Sequence, residues 1–205
     1  MTVTAWDRAA RLYDFQLFLE QRAIDKALEL AAIRPGDRLL DLGTGTGGVL
    51  RRLAGRADAP WEAVGVDRSA SMLAAARDVP SAWPLVRADA AALPFADETF
   101  DVVTAVYLLQ LLGPPARRAV IADAARVLRP GGRLITVTVG VPRSRALALA
   151  FAPLAALARR SGGIMAGLRV LDPRHELIDG GFRVRTARQT GRGYPSLVVV
   201  AEQRG

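Results

Sequence analysis

The chain predicts an α/β fold in which one mostly parallel sheet is doubly wound, with helices on both faces. Three observations carry that prediction. Short apolar runs that fit buried strands, at 38–42, 61–66, 85–88, 100–106 and 134–139, alternate with segments of helical periodicity up to about residue 180. The first run ends directly in the glycine-rich turn Gly43-Thr44-Gly45-Thr46-Gly47-Gly48, after which Val49, Leu50 and Leu53 recur at helical spacing. No linker, repeat or low-complexity tract interrupts the pattern, and 205 residues suffice for one full-size domain and not for two.

The elements follow in order. Trp6, Leu12, Phe15 and Leu19, then Ile24, Ala27, Leu28 and Ala31, sit at helical intervals, and the helix should stop before Pro35-Gly36. After the first strand and the glycine turn, a helix from about Thr46 to Gly55 should pack on the sheet. Trp61 to Val66 is the second strand, with Asp67 at its carboxyl end and a helix through Met72, Leu73 and Ala76 behind Ser69. Leu85 to Ala88 ends at Asp89-Ala90, and Phe100 to Val106 forms the fourth strand. Pro114-Pro115 suits the start of a helix reaching Leu128, which Arg129-Pro130-Gly131-Gly132 stops before the strand Leu134 to Val139. Asp172-Pro173 reads as N-cap and first residue of a helix ending at Gly180-Gly181. Phe182 to Ala187 and Leu197 to Ala201 then read as an antiparallel pair joined through Gly191, Gly193 and Pro195.

Composition narrows the chemistry. Hydrophobic residues at 51% and charged residues at 23% are globular values. The absence of cysteine removes disulfides and cysteine-rich metal sites, and with His175 the only histidine, histidine clusters and two-histidine triads go too; no metal is expected. Met1 to Asp14 carries acids and arginines where a signal peptide needs an apolar core, so a cytoplasmic protein is expected. Lys26 is the only lysine behind the net charge of +8. Scattered solvated arginines, an anionic or nucleic-acid partner and a membrane surface are all compatible with that balance.

Glycines let a backbone approach a ligand, and the first N–H groups of the following helix point at it. Gly43, Gly45 and Gly48 fit G-x-G-x-x-G, a spacing shared by nicotinamide and flavin enzymes and by other users of this turn. Asp41 separates them. A carboxylate two residues before Gly43 would repel a pyrophosphate, whereas S-adenosylmethionine has no phosphate and carries an ammonium group at its methionine end. Asp67, 24 residues beyond Gly43, lies near the interval at which an acid takes the ribose hydroxyls; the alternative is a helix N-cap.

The stretch Leu39-Leu40-Asp41-Leu42-Gly43-Thr44-Gly45-Thr46-Gly47 resembles the first motif of the class I S-adenosylmethionine-dependent methyltransferases of small-molecule type. So do Asp89-Ala90-Ala91-Ala92-Leu93-Pro94-Phe95 followed by Phe100-Asp101, and Leu128-Arg129-Pro130-Gly131-Gly132 before a strand. The resemblance reaches from about residue 35 to 140 and more loosely to the end. It implies a Rossmann-like, seven-stranded, mostly parallel sheet with one antiparallel edge strand, and S-adenosylmethionine as cofactor with S-adenosylhomocysteine as product. Carried over residue by residue, it sets Asp41, Gly43, Thr44 and Gly45 against the cofactor and Asp67 on its ribose. Arg68 and Met72 follow, with an apolar residue against the adenine; Asp89 accepts from the adenine amino group and the Ala90 N–H donates to the ring. Val106 lies beside the methionine part, and Tyr13-Asp14 matches a pair that folds over the cofactor from the amino-terminal segment. An ordinary amphipathic helix explains Tyr13 equally well.

Relatives that methylate quinones or small metabolites commonly carry one or two histidines after the fourth strand; here the residues are Tyr107, Leu108, Leu109, Gln110 and Leu111. Tyr13, Tyr107 and His175 are conceivable bases, none with a spacing signature, so the catalytic residues stay unassigned. Ala146 to Ala158, an apolar run between Arg143, Arg145, Arg159 and Arg160, is too short to span a bilayer. It reads as a core helix bent at Pro153, as a cap over the acceptor site, or as an interfacial segment giving peripheral membrane contact through 143–160.

The expected organisation is a single domain: a helical segment or lid at 1–34, a cofactor-binding core at 35–140, an apolar insertion at 141–170, and a closing helix and strands at 171–205. The expected activity is in-line methyl transfer to a small apolar or amphipathic acceptor. An rRNA or tRNA methyltransferase, a nicotinamide-dependent oxidoreductase and a non-catalytic binder of the cofactor are the alternatives. A nucleic-acid partner is not expected, because no aromatic and basic residues interleave into a stacking platform.

Overall fold

A computed structural model describes residues 21–141, 169–190 and 195–204. Tyr13, the rest of the amino-terminal segment to residue 20, and the run at 146–158 lie outside the described residues. Helix α1 occupies 21–31. Then come β1 (Arg38–Leu42), α2 (Gly48–Ala54), β2 (Glu62–Asp67), α3 (Ala70–Ala74), β3 (Leu85–Arg87), β4 (Phe100–Val106), a 3-10 turn (Leu109–Leu111), α4 (Pro114–Val127), β5 (Leu128–Val139), α5 (Arg174–Asp179), β6 (Phe182–Gln189) and β7 (Ser196–Gln203).

The strands form one seven-stranded sheet in the order β3-β2-β1-β4-β5-β7-β6. Every pairing from β3 to β5 is parallel, while β7 runs antiparallel to both of its neighbours. The single reversed strand therefore stands one place in from the edge, and β6 closes the sheet. Alternation along the strands sends Leu39, Val102 and Ile135 to one face, where Ile24 and Leu28 of α1 and Leu50 and Leu53 of α2 cover them. Leu40, Leu42 and Val103 go to the other, under Val120, Ile121 and Ala124 of α4 and Leu177 of α5. A strand buried on both faces reads as a continuous apolar run, which is why these segments stood out in the sequence.

Polar ties lock the helices to the sheet. Arg133 of β5 donates to the carbonyls of Ala31 and Ala32 at 2.6 and 2.8 Å and pairs with Asp37 at 2.6 Å, placing a cation at the carboxyl end of α1. Arg117 of α4 grips Glu176 of α5 through three hydrogen bonds of 2.8–3.0 Å.

Of the boundaries that differ from the sequence expectation, three have a plain local cause. Helix α4 stops at Val127, since Leu128 already pairs with Phe100; the register then slides, so that Arg133 opposes Val102 and Arg129 to Gly132 bulge out of β5. Gly131 at φ +74° makes that bulge possible. Helix α5 begins at Arg174 with Pro173 as its cap residue, and Asp172 accepts the Arg174 N–H at 3.2 Å from one residue further out. Helix α2 begins at Gly48 because Gly47, at φ +81°, still belongs to the turn.

Candidate functional site

The site is built at the carboxyl ends of β1, β2 and β4. Gly43, Gly45 and Gly47 all take left-handed φ angles, +67°, +56° and +81°, which a side chain would oppose. The turn is closed by its own backbone: the Thr44 N–H donates to the Val66 carbonyl and the Gly47 N–H to the Thr44 carbonyl, both at 2.9 Å. Asp67 braces it from β2. Its Oδ2 accepts the Gly45 N–H at 2.9 Å and its Oδ1 the Ser69 N–H at 2.8 Å. Ser69, not Asp67, is the N-cap of α3, with its hydroxyl accepting the Met72 N–H at 3.3 Å. Asp67 is thereby left half-buried at the strand end, facing the turn, where its remaining lone pairs can take hydroxyl donors.

Asp41 sits in register between Gly65 of β2 and Thr104 of β4 and is 1% exposed. A Cβ on Gly65 would lie 2.9 Å from Thr44 Cγ2, so the glycine makes the room in which Thr44 folds over the acid. Asp41 Oδ1 accepts the Thr104 hydroxyl at 2.6 Å, and Oδ2 is buried with no partner. Burial pushes its pKa up to about 6; the Thr104 hydrogen bond and the neighbouring Thr44 hydroxyl oppose the rise, and the charge of Asp67 adds to it. The Thr44 hydroxyl lies beside the acid without closing a full hydrogen bond to it, and the Thr46 hydroxyl is buried with no partner among the described residues. An acceptor oxygen and two hydroxyls left open around one turn suit a ligand with an ammonium for the acid and a carboxylate for the hydroxyls. An amino-acid zwitterion is such a ligand. A diphosphate is not, because it would face the acid across a short, poorly screened distance.

The next wall is the 88–99 segment. The Ala88 N–H donates to the Asp67 carbonyl at 3.2 Å, which ties this segment to the end of β2. Asp89 is exposed, and its Oδ1 accepts the Ala91 N–H at 2.9 Å, so a tight turn holds Asp89 and Ala90 at the rim. Behind them Leu93 is buried, Phe95 meets Phe100 edge-on at 5.1 Å, and Arg126 gathers the Phe95 and Leu93 carbonyls with Asp97 and Asp123. Burial would raise the Asp123 pKa, but Arg126 and the Leu93 N–H hold it below the ordinary carboxylate range. Arg68 is exposed and Met72 half-buried, both just beyond Asp67.

At the end of β4, Val106 is half-buried and pairs with Val137. Tyr107 follows at φ +53°, its N–H donating to the Val137 carbonyl at 2.7 Å and its buried hydroxyl hydrogen-bonded to the Ser196 hydroxyl at 2.6 Å. That phenol is engaged in the fold, and His175 is exposed on α5. Leu108 then lies directly on the glycine turn, with Cδ1 3.0 Å from where a Gly43 Cβ would be. Thr104 and Leu108 of the site, and the buried Gln110 just beyond them, were given no role by sequence reasoning. Thr104 and Leu108 left no signal, whereas Gln110 did, as the one polar residue of Leu-Leu-Gln-Leu-Leu.

The structure thus gathers Asp41, Gly43, Thr44, Gly45 and Asp67 around one turn at the strand ends, joins Asp89 and Ala90 to it through Ala88, and sets Val106 at its side. An acid beneath a glycine turn open to a zwitterion, on a sheet with one reversed strand beside its edge, points to a class, the class I S-adenosylmethionine-dependent methyltransferases, to which this chain is similar. Residues 39–132 match the family described as Methyltransferase domain. Demethylmenaquinone methyltransferase of Mycobacterium sp. (strain KMS) is 41% identical over 150 residues, 70% of this chain and 61% of that protein. Ubiquinone/menaquinone biosynthesis C-methyltransferase UbiE of Ectopseudomonas mendocina (strain ymp) is 37% identical over 127 residues, 59% of this chain and 49% of the relative. The chain therefore spans about half to three fifths of the length of these relatives. A solved SAM-dependent methyltransferase from Methanosarcina mazei shares the fold, with TM-score 0.68 and 19% identity over 86% of this chain and 97% of its own. S-adenosylmethionine is the cofactor that this likeness implies, and the open oxygens of Asp41, Thr44 and Thr46 fit its methionine end.

Proposed function

We propose that this chain methylates a ring carbon of a reduced, isoprenoid-bearing quinone that still lacks that methyl group. The observation that carries the reading is the 41% identity to a demethylmenaquinone methyltransferase. The segment after β4 supports it: half-buried Leu108 lies on the glycine turn, and half-buried Leu111 and Leu112 follow it, an apolar surface for an apolar ring. When bound, S-adenosylmethionine supplies a methyl group on a sulfonium, open to in-line displacement by a nucleophile. The chain's own part is to hold, align and keep dry. Asp41 neutralises the ammonium, Asp67 takes the ribose, Asp89 and Ala90 edge the adenine, and Leu108 excludes water above the turn. Fixing a reacting pair about 3–3.5 Å apart accounts for about 7–11 kcal/mol of barrier lowering.

The test is incubation with methyl-labelled S-adenosylmethionine and a dithionite-reduced 2-prenyl-1,4-naphthoquinone, followed by mass spectrometry of the extracted ring. Label on a ring carbon supports the assignment. Binding of S-adenosylhomocysteine without label in the product sinks the acceptor while leaving the cofactor site standing.

A further inference from the structure

Gln110 belongs to none of the roles assigned so far. It lies in the 3-10 turn just after β4, at the end of the sheet where the glycine turn sits, and is 1% exposed. Its Oε1 is buried and accepts no hydrogen bond among the described residues. A lone acceptor in an apolar setting is unfavourable for the fold, so its natural counterpart is a donor brought by a ligand.

The backbone explains why the amide comes to this place. Tyr107 takes φ +53°, a conformation that a bulky side chain resists, and the 2.7 Å bond from its N–H to the Val137 carbonyl holds it there. The chain turns sharply as it leaves β4, and Leu108 lands on Gly43. Gln110 is two residues beyond that contact and is the one polar side chain between Leu108 and Leu112. On the proposed reading, the acceptor ring lies against these leucines with its reacting carbon toward the turn.

We propose that Gln110 Oε1 accepts a hydrogen bond from a ring hydroxyl of the acceptor, and that this contact orients the ring and selects the hydroquinone over the quinone. The inference rests on the quinone reading above. A quinone offers only carbonyl acceptors, which leave Oε1 unpaired in the orientation the fold holds unless the amide turns over to present its N–H groups; a hydroquinone offers two O–H donors to that oxygen directly. The chemistry needs the same oxidation state. The electron-rich ring carbon forms the new C–C bond, the S–CH3 bond breaks, and its electron pair stays on sulfur as a neutral thioether. The methylated carbon then releases its hydrogen as a proton to water and the ring regains aromaticity, with no oxidant or reductant consumed. Gln110 keeps the hydroxyl proton on oxygen and acts as a positioning contact, not a base.

The test uses the full chain and two variants. Gln110→Met keeps the volume and removes the acceptor; Gln110→Glu keeps an acceptor oxygen. With reduced 2-prenyl-1,4-naphthoquinone as the probe, Gln110→Met should lose at least about tenfold in kcat/KM, with the larger part in KM, and Gln110→Glu should recover most of it. Calorimetric affinity for S-adenosylhomocysteine should stay within about twofold of wild type, and the Tm of Gln110→Met should hold or rise. The proposal is overturned by Gln110→Met turnover equal to wild type, by loss of S-adenosylhomocysteine affinity, or by a lower Tm, each of which gives Gln110 another task. A wild type that binds S-adenosylhomocysteine and leaves the hydroquinone unmethylated overturns the quinone reading, and this inference with it.

Discussion

Replacing Asp41 by asparagine should make the free protein more stable and its cofactor complex weaker. In the fold the Asp41 pKa stands at about 6 instead of 3.8, chiefly because the group is buried. At about 1.4 kcal/mol per pH unit, that difference is about 3 kcal/mol of penalty on the ionised form. The folded chain holds this proton more tightly than the unfolded one. The stabilisation from protonation is therefore complete below pH 3.8 and is lost as the pH rises through about 6. At pH 7.5 the wild type carries the whole penalty, and Asp41→Asn, neutral and able to keep the Thr104 bond, relieves it; for a domain of this size about 3 kcal/mol is about 6–12 °C in Tm.

Binding goes the other way. A buried carboxylate facing an ammonium contributes about 1.5–3 kcal/mol as a charge-assisted hydrogen bond, so Asp41→Asn should bind S-adenosylhomocysteine about 10–150-fold more weakly at pH 7.5. Because the ligand must first displace the proton, wild-type affinity should fall about tenfold between pH 7 and pH 5 while that of Asp41→Asn stays flat. Calorimetric titration across that range, paired with thermal melts of the free proteins, reads both. A variant that melts lower and binds as tightly as wild type would refute the electrostatic reasoning.

Asp67→Ala should cost about 1.5–3 kcal/mol of S-adenosylhomocysteine affinity and also lower the Tm, since the carboxylate braces the Gly45 and Ser69 N–H groups; unchanged affinity by calorimetry removes the ribose assignment. Gly47→Ala adds a Cβ 2.6 Å from Val79 Cγ2 at φ +81°, which should destabilise by about 1–3 kcal/mol in urea unfolding; a neutral result would mean that the turn relaxes. Arg126→Ala strips the partner from Asp123, whose side chain is 15% exposed, and releases the Leu93 and Phe95 carbonyls. A loss of about 1–3 kcal/mol is expected, with weaker cofactor binding through a loosened Asp89-Ala90 rim; intact affinity would uncouple that rim from α4.

What the sequence disclosed was whatever the backbone demands locally. Three left-handed positions in one turn require glycines, so Gly43, Gly45 and Gly47 were visible, as were the doubly buried strands that read as apolar runs. Asp41 and Asp67 were visible because a carboxylate at a strand end beside such a turn has few structural uses. Contacts between distant residues left no mark. Thr104 reaches Asp41 across 63 positions and Arg133 caps α1 across 102, and both depend on strand order. The bulge after Leu128 was hidden for the same reason: Pro130-Gly131-Gly132 signals a turn, and only the pairing of Leu128 with Phe100 shows that the strand has already begun. Ser69 and Asp67 could each cap α3 by spacing, and the choice fell to Ser69 once Gly45 claimed the other acid.

The most direct test of the cofactor site is a crystal structure with S-adenosylhomocysteine bound. The ligand's ammonium nitrogen should lie about 3 Å from Asp41 Oδ2, with its ribose hydroxyls on Asp67. A ligand lying elsewhere, or a dinucleotide whose diphosphate crosses Gly43 to Gly47 with Asp41 turned toward it, would contradict that placement.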